Sequence, residues 1–430
     1  MIWLYRILFL PVLVCLLPYY AWRMWRRGGY RHDFHHRFGL IDRPPPKRPG
    51  VKRVWIQAVS VGEANALGPL LARLRTRPLT EIILTTTTST GYRILREKYA
   101  AEVLKVGIFP VDFWPFSRNA WRRLEPDLAV LMEAELWPEH LAQAWARQVP
   151  VVLVNARMSD RSFARYQSLR DVARWMFGQL RLILCATKPD EERFLALGAE
   201  AARTRLSGSL KFDAAATAAK LSLSEITALR EELGFGNDPN TLVLLGSSTW
   251  DGEEALLLEV QQAAIAAGLD TRLLLVPRHA ERRKEIIALL EKQSLPWHAR
   301  STCPRAPNPA RIYLGDTTGE LARLTQASDL AFIGKSLPPN DGGQTPIEAA
   351  ALGVPLVYGP RMSNFKDACR GLEEAGAAWR VDDATTAHMA LLGLLQDPVR
   401  RAKMSAAGRA WHAANQGATS RTMAALEEML

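Results

Sequence analysis

VKRVWIQAVSVGEA, from Val51 to Ala64, decides the reading of the fold. Val51 to Val59, with Val51, Val54, Trp55, Ile56 and Val59, reads as a buried strand, while Gly68 to Leu74 has the apolar spacing of a helix. Ser60, Val61, Gly62 and Glu63 therefore occupy a strand-to-helix turn, and such turns build sites at the carboxyl edge of parallel sheets.

The alternation repeats on both sides of that stretch. EIILTTT (81–87) precedes a helix from Thr90, DLAVLM (127–132) precedes a helix over Glu133 to Ala146, and VVLV (151–154) and LILCAT (182–187) follow. A second series restarts with TLVLLGS (241–247), RLLLVP (272–277), RIYLG (311–315), LAFIG (330–334) and PLVYG (355–359). Apolar strand runs alternating with helical patterns predict parallel sheets covered on both faces. The expected fold class is α/β, two Rossmann-like doubly wound domains in tandem, with a nucleotide-linked substrate in the cleft between their carboxyl edges.

The expected division is an anchor with a basic-aromatic flank over 1–40, a Pro-rich linker over 41–50 (IDRPPPKRPG) and a first domain over 51–212. A polar, helix-prone interdomain linker over 213–240 and a second domain over 241–410 follow, with a terminal helix over 411–430 crossing back to the first domain. A chain of 430 residues exceeds what one hydrophobic core usually organises. With 48% hydrophobic and 23% charged residues, and no repeat of fixed period, disorder and solenoid architectures are excluded.

The net charge of +11 is not gathered into a domain-wide stripe or an aromatic-interleaved RNA-binding motif, which argues against nucleic acid as a partner. Its densest run, RMWRRGGYRHDFHHR (23–37), sets Arg23, Arg26, Arg27, Arg31 and Arg37 beside aromatic residues and suits an anionic membrane surface. Ile2 to Trp22 before it is apolar apart from Arg6. It is long enough to cross a bilayer or to lie in the interface as a monotopic anchor, and Pro11 and Pro18 are expected to kink it. No small-residue cleavage site follows, so a removed signal peptide is disfavoured. Cys15, Cys185, Cys303 and Cys369 are scattered without metal-type spacing, as in a reducing compartment. His32, His35 and His36 lack an evident carboxylate or thiolate set and read as structural rather than metal-binding.

Chemistry concentrates at five places. GGQTPIEAAALGVPLVYGP (342–360) offers Gly342 and Gly343 for close backbone approach to a phosphate, Thr345, Pro346 in a helix first turn, and Glu348 early in that helix to accept hydroxyl hydrogen bonds. VPRHAERR (276–283) places Arg278 after a strand, where a guanidinium grips a phosphate bidentately, with His279 beside it. SVGEA places Glu63 where a carboxylate takes the proton of an attacking hydroxyl. MEAELWPEH (132–140) places Glu133 and Glu135 after the next central strand, where like charges raise one another's pKa. GSLKFD (208–213) brings Lys211 to the end of the first domain. Each also has a plain structural reading, as a glycine turn, a surface pair, a cap or a solvated lysine. No Asp-x-Asp handle for a divalent metal is present, so no metal is expected.

Taken together, SVGEA, TTTTSTG, EPDLAVLMEAELWP, VNARMSDRS, GSLKFD, VPRHAERR, GDTTGEL and the 342–360 block stand in the sequence order of the Kdo (3-deoxy-D-manno-octulosonic acid) transferases of lipopolysaccharide assembly, which the chain resembles over nearly its whole length. The resemblance implies a GT-B fold and inversion at the anomeric carbon, with CMP-Kdo as donor and a lipid A precursor (lipid IVA) as acceptor. It also implies attachment to the cytoplasmic face of the bacterial inner membrane. It makes Glu63 the general base, sets Glu133 and Lys211 in the catalytic site, and puts Arg278, Thr345 and Glu348 at donor-binding positions with His279 adjacent; the motif itself adds Gly342 and Gly343 to the donor-binding candidates. Two departures stand out: Lys335 replaces a glycine of the family pattern, and Gln344–Thr345 replaces His-Asn. A UDP-sugar transferase or epimerase sharing the C-terminal block, or a lapsed membrane-tethered binding protein, are the competing readings.

Overall fold

The computed structural model describes residues 1–27, 32–59, 61–217 and 220–430. Ser60 and the flank residues 28–31 lie outside them. The chain divides into two compact units, Met1–Ala214 with Gln416–Leu430, and Ala215–Asn415.

The first unit is built on β1 (Lys52–Gln57), β2 (Thr80–Thr86), β3 (Lys105–Ile108), β4 (Leu128–Met132), β5 (Val151–Ala156), β6 (Leu182–Cys185) and β7 (Thr204–Leu206), ordered β3-β2-β1-β4-β5-β6-β7. The second holds β8 (Leu242–Thr249), β9 (Thr271–Pro277), β10 (Trp297–Ala299), β11 (Ile312–Leu314), β12 (Leu330–Ile333), β13 (Leu356–Tyr358) and β14 (Ala378–Arg380), ordered β10-β11-β9-β8-β12-β13-β14. Every pairing is parallel. Crossover helices must then cover both faces, which is why the central strands are buried at every position and read as continuous apolar runs. Each unit is thus a Rossmann-like doubly wound domain.

Strand order reverses between β1 and β4 in the first sheet and between β8 and β12 in the second. Connections leave in opposite directions there and open a crevice at the carboxyl edge. Backbones crowd at the second reversal, because a Cβ added to Gly334 would collide with the Ser248 carbonyl oxygen.

Several boundaries differ from the sequence expectation. The proposed 213–240 linker contains a helix, Leu223–Glu232, and Leu229, Leu233 and Phe235 are buried in the core of the second unit. Its polar residues masked a single apolar edge. The long C-terminal helix is broken at Asn415–Gly417; Pro398–Ala414 belongs to the second unit, while Ala418–Glu427 places Ala418, Met423 and Leu426 in a core of the first. The helix expected from Glu133 starts only at Pro138, since Glu133 adopts φ +55° and the chain loops before turning.

The N-terminal helix α1 (Ile2–Arg27) runs through Pro11 and Pro18 as one helix. It is about 39 Å long at 1.5 Å per residue. Ile2–Trp22 is long and apolar enough to cross a bilayer, and none of that window is buried. Its first turns are not a free tether. Tyr5 donates to Asp112 Oδ2 at 2.6 Å, Arg6 forms a two-pronged ion pair with fully buried Glu139 at 2.8 and 2.9 Å, and Phe9 stacks on Phe113. Nor is 41–50 a loose linker: Ile41 is buried and Lys47 pairs with Asp127 at 2.9 Å.

Replacing Gly334 by Ala should destabilise the second unit by about 1–3 kcal/mol or more, because the collision is with backbone that cannot rotate away. Chemical denaturation with a probe in that unit checks this, and an unchanged midpoint would contradict the packing of β8 against β12.

Candidate active site

In the first unit, Glu63 follows β1, Glu133 and Glu135 follow β4, and Lys211 lies on the helix Leu210–Ala216 after β7, and the fold brings these four sequence-chosen groups together. Glu63 lies in the short helix Val61–Ala66 and is buried, with its Oε2 accepting the Val59 N–H at 2.8 Å. Glu133 follows β4 and forms an ion pair with Lys211 at 2.7 Å. Asn155, fully buried at the end of β5, donates to Glu133 Oε1 at 3.3 Å and accepts the Leu210 N–H at 3.2 Å. Asn155 therefore fixes Glu133 and the start of the Lys211 helix together, a role that sequence spacing did not reveal.

Glu135 completes the group. Trp137 donates to its Oε2 at 2.9 Å. Burial pushes its pKa up to about 7, and the negative charges of Glu63 and Glu133 add to the shift. Three carboxylates and one ammonium thus share a small volume, and near neutrality Glu135 retains a proton that its neighbours make expensive to lose.

The second unit gathers a cationic and aromatic cluster at its own reversal. Glu253, buried in the turn after β8, accepts the N–H groups of Trp250 at 2.9 Å, Lys335 at 2.8 Å and Ser336 at 3.0 Å. That carboxylate clasps the end of β12 to the turn after β8. It was missed because a first-turn glutamate looks like a dipole partner until the strand order is known. The clasp holds Lys335 at φ +60° with its ammonium 4.6 Å from the centre of the Trp250 ring, and His279 packs its ring against the same indole at 5.2 Å. Arg278 is exposed after β9, its backbone N–H bonded to Thr249 O at 3.1 Å.

The glycine loop works differently from expectation. Gly342 (φ +106°) and Gly343 (φ +68°) are required by backbone conformation and by the close approach of Asn364 and Met362. Their N–H groups bond Arg361 O at 3.1 Å and Lys335 O at 3.0 Å, so neither is offered to a phosphate. Pro346 is the cap of a six-residue helix, Ile347–Leu352, rather than part of its first turn. Thr345 accepts the Ile347 N–H at 3.3 Å and donates to Glu348 at 2.7 Å, so the two donor-site candidates hold one another.

Near the N-terminus, Asp33, not His32, joins His35 and His36, with one candidate ligand atom from each within 4.8 Å of the others. The carboxylate that the sequence reading lacked is therefore present. Nδ1 of His36 accepts the Ile108 N–H at 3.3 Å, and burial lowers this ring's pKa to about 4. With that lone pair engaged, Nε2 carries the proton, and the trio offers two available ligands rather than three.

Two doubly wound units, each with a polar cluster at its strand-order reversal, define a GT-B-type fold. The fold is shared with a UDP-GlcNAc 2-epimerase from Neisseria meningitidis (TM-score 0.62, 13% identity, 87% of this chain and 100% of that one). A putative UDP-N-acetylglucosamine 2-epimerase from Listeria monocytogenes is comparable (TM-score 0.61, 16% identity, 88% and 96%). Residues 32–214 match the family described as 3-Deoxy-D-manno-octulosonic-acid transferase (kdotransferase). The chain is 38% identical to the 3-deoxy-D-manno-octulosonic acid transferase of Bordetella pertussis over 96% of both chains. It is 31% identical to that of Haemophilus influenzae over 98% of this chain and 96% of the other. The chain belongs to the Kdo transferase family.

The raised pKa of Glu135 has a consequence for stability. A carboxyl whose folded value lies above its unfolded value of 4.5 contributes stability below about pH 4.5 that is lost as the pH rises through about 7. Glu135→Gln should therefore gain on the wild type by roughly 1–3 kcal/mol between pH 5 and 8. Thermal melts across that range check it, and a pH-independent difference would contradict the assignment.

Proposed function

We propose that the chain is an inverting, metal-independent transferase that moves Kdo from CMP-Kdo onto a glucosamine hydroxyl of a tetraacylated lipid A precursor, lipid IVA. In this reading α1 attaches the protein to the cytoplasmic face of the bacterial inner membrane. The observation that carries the proposal is the carboxylate group at the strand-order reversal of the first unit, buried Glu63 with Glu135 and the Glu133–Lys211 ion pair.

In this reading Glu63 is the general base. It takes the proton from the acceptor hydroxyl as that oxygen bonds to the anomeric carbon, and the bond from that carbon to the CMP phosphate oxygen breaks with its electron pair staying on phosphate. One displacement inverts the centre. Lys211 spends one of its three ammonium donors on Glu133, which leaves the others for a sugar carboxylate. On the donor side, Arg278 and Lys335 supply the positive charge that a departing phosphate needs in place of a metal, and His279 donates to the same group. Thr345 and Glu348, already bonded to one another, stand on the nucleotide side of this reading. Family membership and the motif order in both units support this donor and acceptor.

Glu63→Gln should lower turnover with CMP-Kdo and lipid IVA by about 10²–10⁴-fold while CMP still binds, since the amide keeps the shape but cannot accept the proton. Turnover measured beside calorimetric CMP titration checks this. Wild-type turnover in the variant would remove Glu63 from the mechanism, and UDP binding tighter than CMP would favour a UDP-sugar enzyme.

A further inference from the structure

The helices Trp114–Leu124 and Pro138–Ala146 cover one face of the first sheet, and their starts hold α1 through Asp112, Phe113 and Glu139. Their far ends, at the amino edge of the sheet and away from Glu63, wall a cavity of about 620 Å³. Five cations line it, Arg43, Lys47, Arg122, Arg123 and Arg147, against one acid, Glu125. Lys47 is neutralised by Asp127 and Arg123 donates to Ile41 O, but Arg43 and Arg122 have no carboxylate partner among the described residues. Pro44, Pro45, Pro46, Pro126 and the Trp121 ring stiffen the rim.

Arg147 is half-buried and faces like charge. It donates to Gln143 Oε1 at 2.6 Å and to Gln143 O at 3.0 Å, while burial and the neighbouring Arg118 and Arg122 depress its pKa. A cluster of this kind is costly unless an anion joins it. The same helix pair presents an aromatic and basic outer surface. Trp114 and Trp145 are 43% and 72% exposed, and Arg118 and Arg122 continue the Trp114 stripe at four-residue steps. Trp beside Arg is the composition of a membrane–water interface.

A buried polar chain joins the two ends of this face. Arg6 of α1 pairs with Glu139, Gln143 donates to Glu139 Oε1 at 2.6 Å, and Arg147 donates to Gln143. The eight residue steps from Glu139 to Arg147 span about 12 Å. The helix that meets lipid and the cavity that carries excess positive charge therefore belong to one supported surface.

We propose that this face is a second membrane contact, and that the Arg43–Arg122–Arg147 cavity binds the phosphate headgroup of an anionic membrane lipid. The proposal rests on the membrane attachment of α1 given above. The lipid source is favoured over free phosphate because the cavity continues the Trp114, Arg118, Trp145 surface and, through Gln143 and Glu139, the docked end of α1. It is separate from the acceptor chemistry, since the cavity sits at the opposite edge of the sheet from the carboxylates.

The test uses the full chain in neutral detergent micelles, titrated with phosphatidylglycerol, phosphatidylcholine or inorganic phosphate, read by melting temperature and by lipid retained in native mass spectrometry. The expected result is saturable stabilisation and retained lipid with phosphatidylglycerol alone. In Arg43→Ser/Arg122→Ser, two exposed positions whose change should leave the fold intact, the phosphatidylglycerol needed should rise by roughly tenfold or more. Equal response to phosphatidylcholine, equal response to inorganic phosphate, or an unchanged titration in the variant would each overturn the proposal. Flotation of both proteins with phosphatidylcholine vesicles reports on α1 separately. Failure of the wild type to float would overturn the attachment reading, whereas flotation of both with loss of phosphatidylglycerol preference in the variant supports the second contact.

Discussion

A parallel sheet has no short return connection, so every strand must be followed by a crossover, and a doubly wound sheet must somewhere send adjacent strands off in opposite directions. Here that place is β1 beside β4, and β8 beside β12. Nearly everything chemical in the molecule sits on the turns leaving those four strands and their neighbours. Glu63 follows β1, Glu133 and Glu135 follow β4, Glu253 follows β8, and Lys335 follows β12. The crevice is a consequence of topology, and the residues exploit it.

Buried carboxylates are the second organising theme. A carboxylate out of water is tolerated only where hydrogen bonds or a cation replace its hydration. Glu253 is met by backbone N–H groups, Glu254 by Arg282 at 2.7 and 3.1 Å, and Glu139 by Arg6 and Gln143. Each ties together segments distant in sequence, so that a turn, a loop or the N-terminal helix is held in one position. Glu135 is the exception. It has one indole donor and two like charges nearby, and its remedy is to keep a proton.

Much of this was legible in the sequence. The central strands, buried on both faces, announce themselves as unbroken apolar runs, and the acidic turns after β1 and β4 follow from them. The strands that escaped notice, β3, β7, β10 and β14, are the four sheet edges, three or four residues long and partly exposed, where composition is mixed. The 213–240 stretch reads as helix-prone, but that the Leu223–Glu232 helix packs into the core of the second unit was hidden because its apolar edge is narrow. The Glu253 clasp, the Asn155 bridge and the Glu139 relay were unreadable for a different cause, since each depends on which strands and helices become neighbours in space. The role of Gly342 and Gly343 was half legible: their left-handed backbone was foreseeable, but not that both N–H groups would be consumed internally.

The proposed transfer depends on the identity of the group moved and on a displacement that uses this chain's own carboxylates and cations. Incubating the detergent-solubilised protein with CMP-Kdo, generated in place, and lipid IVA in the presence of a chelator, while following the mass of the lipid, tests both at once. A mass gain of one or more Kdo units, with the new anomeric centre inverted by NMR, is the predicted result. No gain with CMP-Kdo, together with transfer from a UDP-sugar, would contradict it.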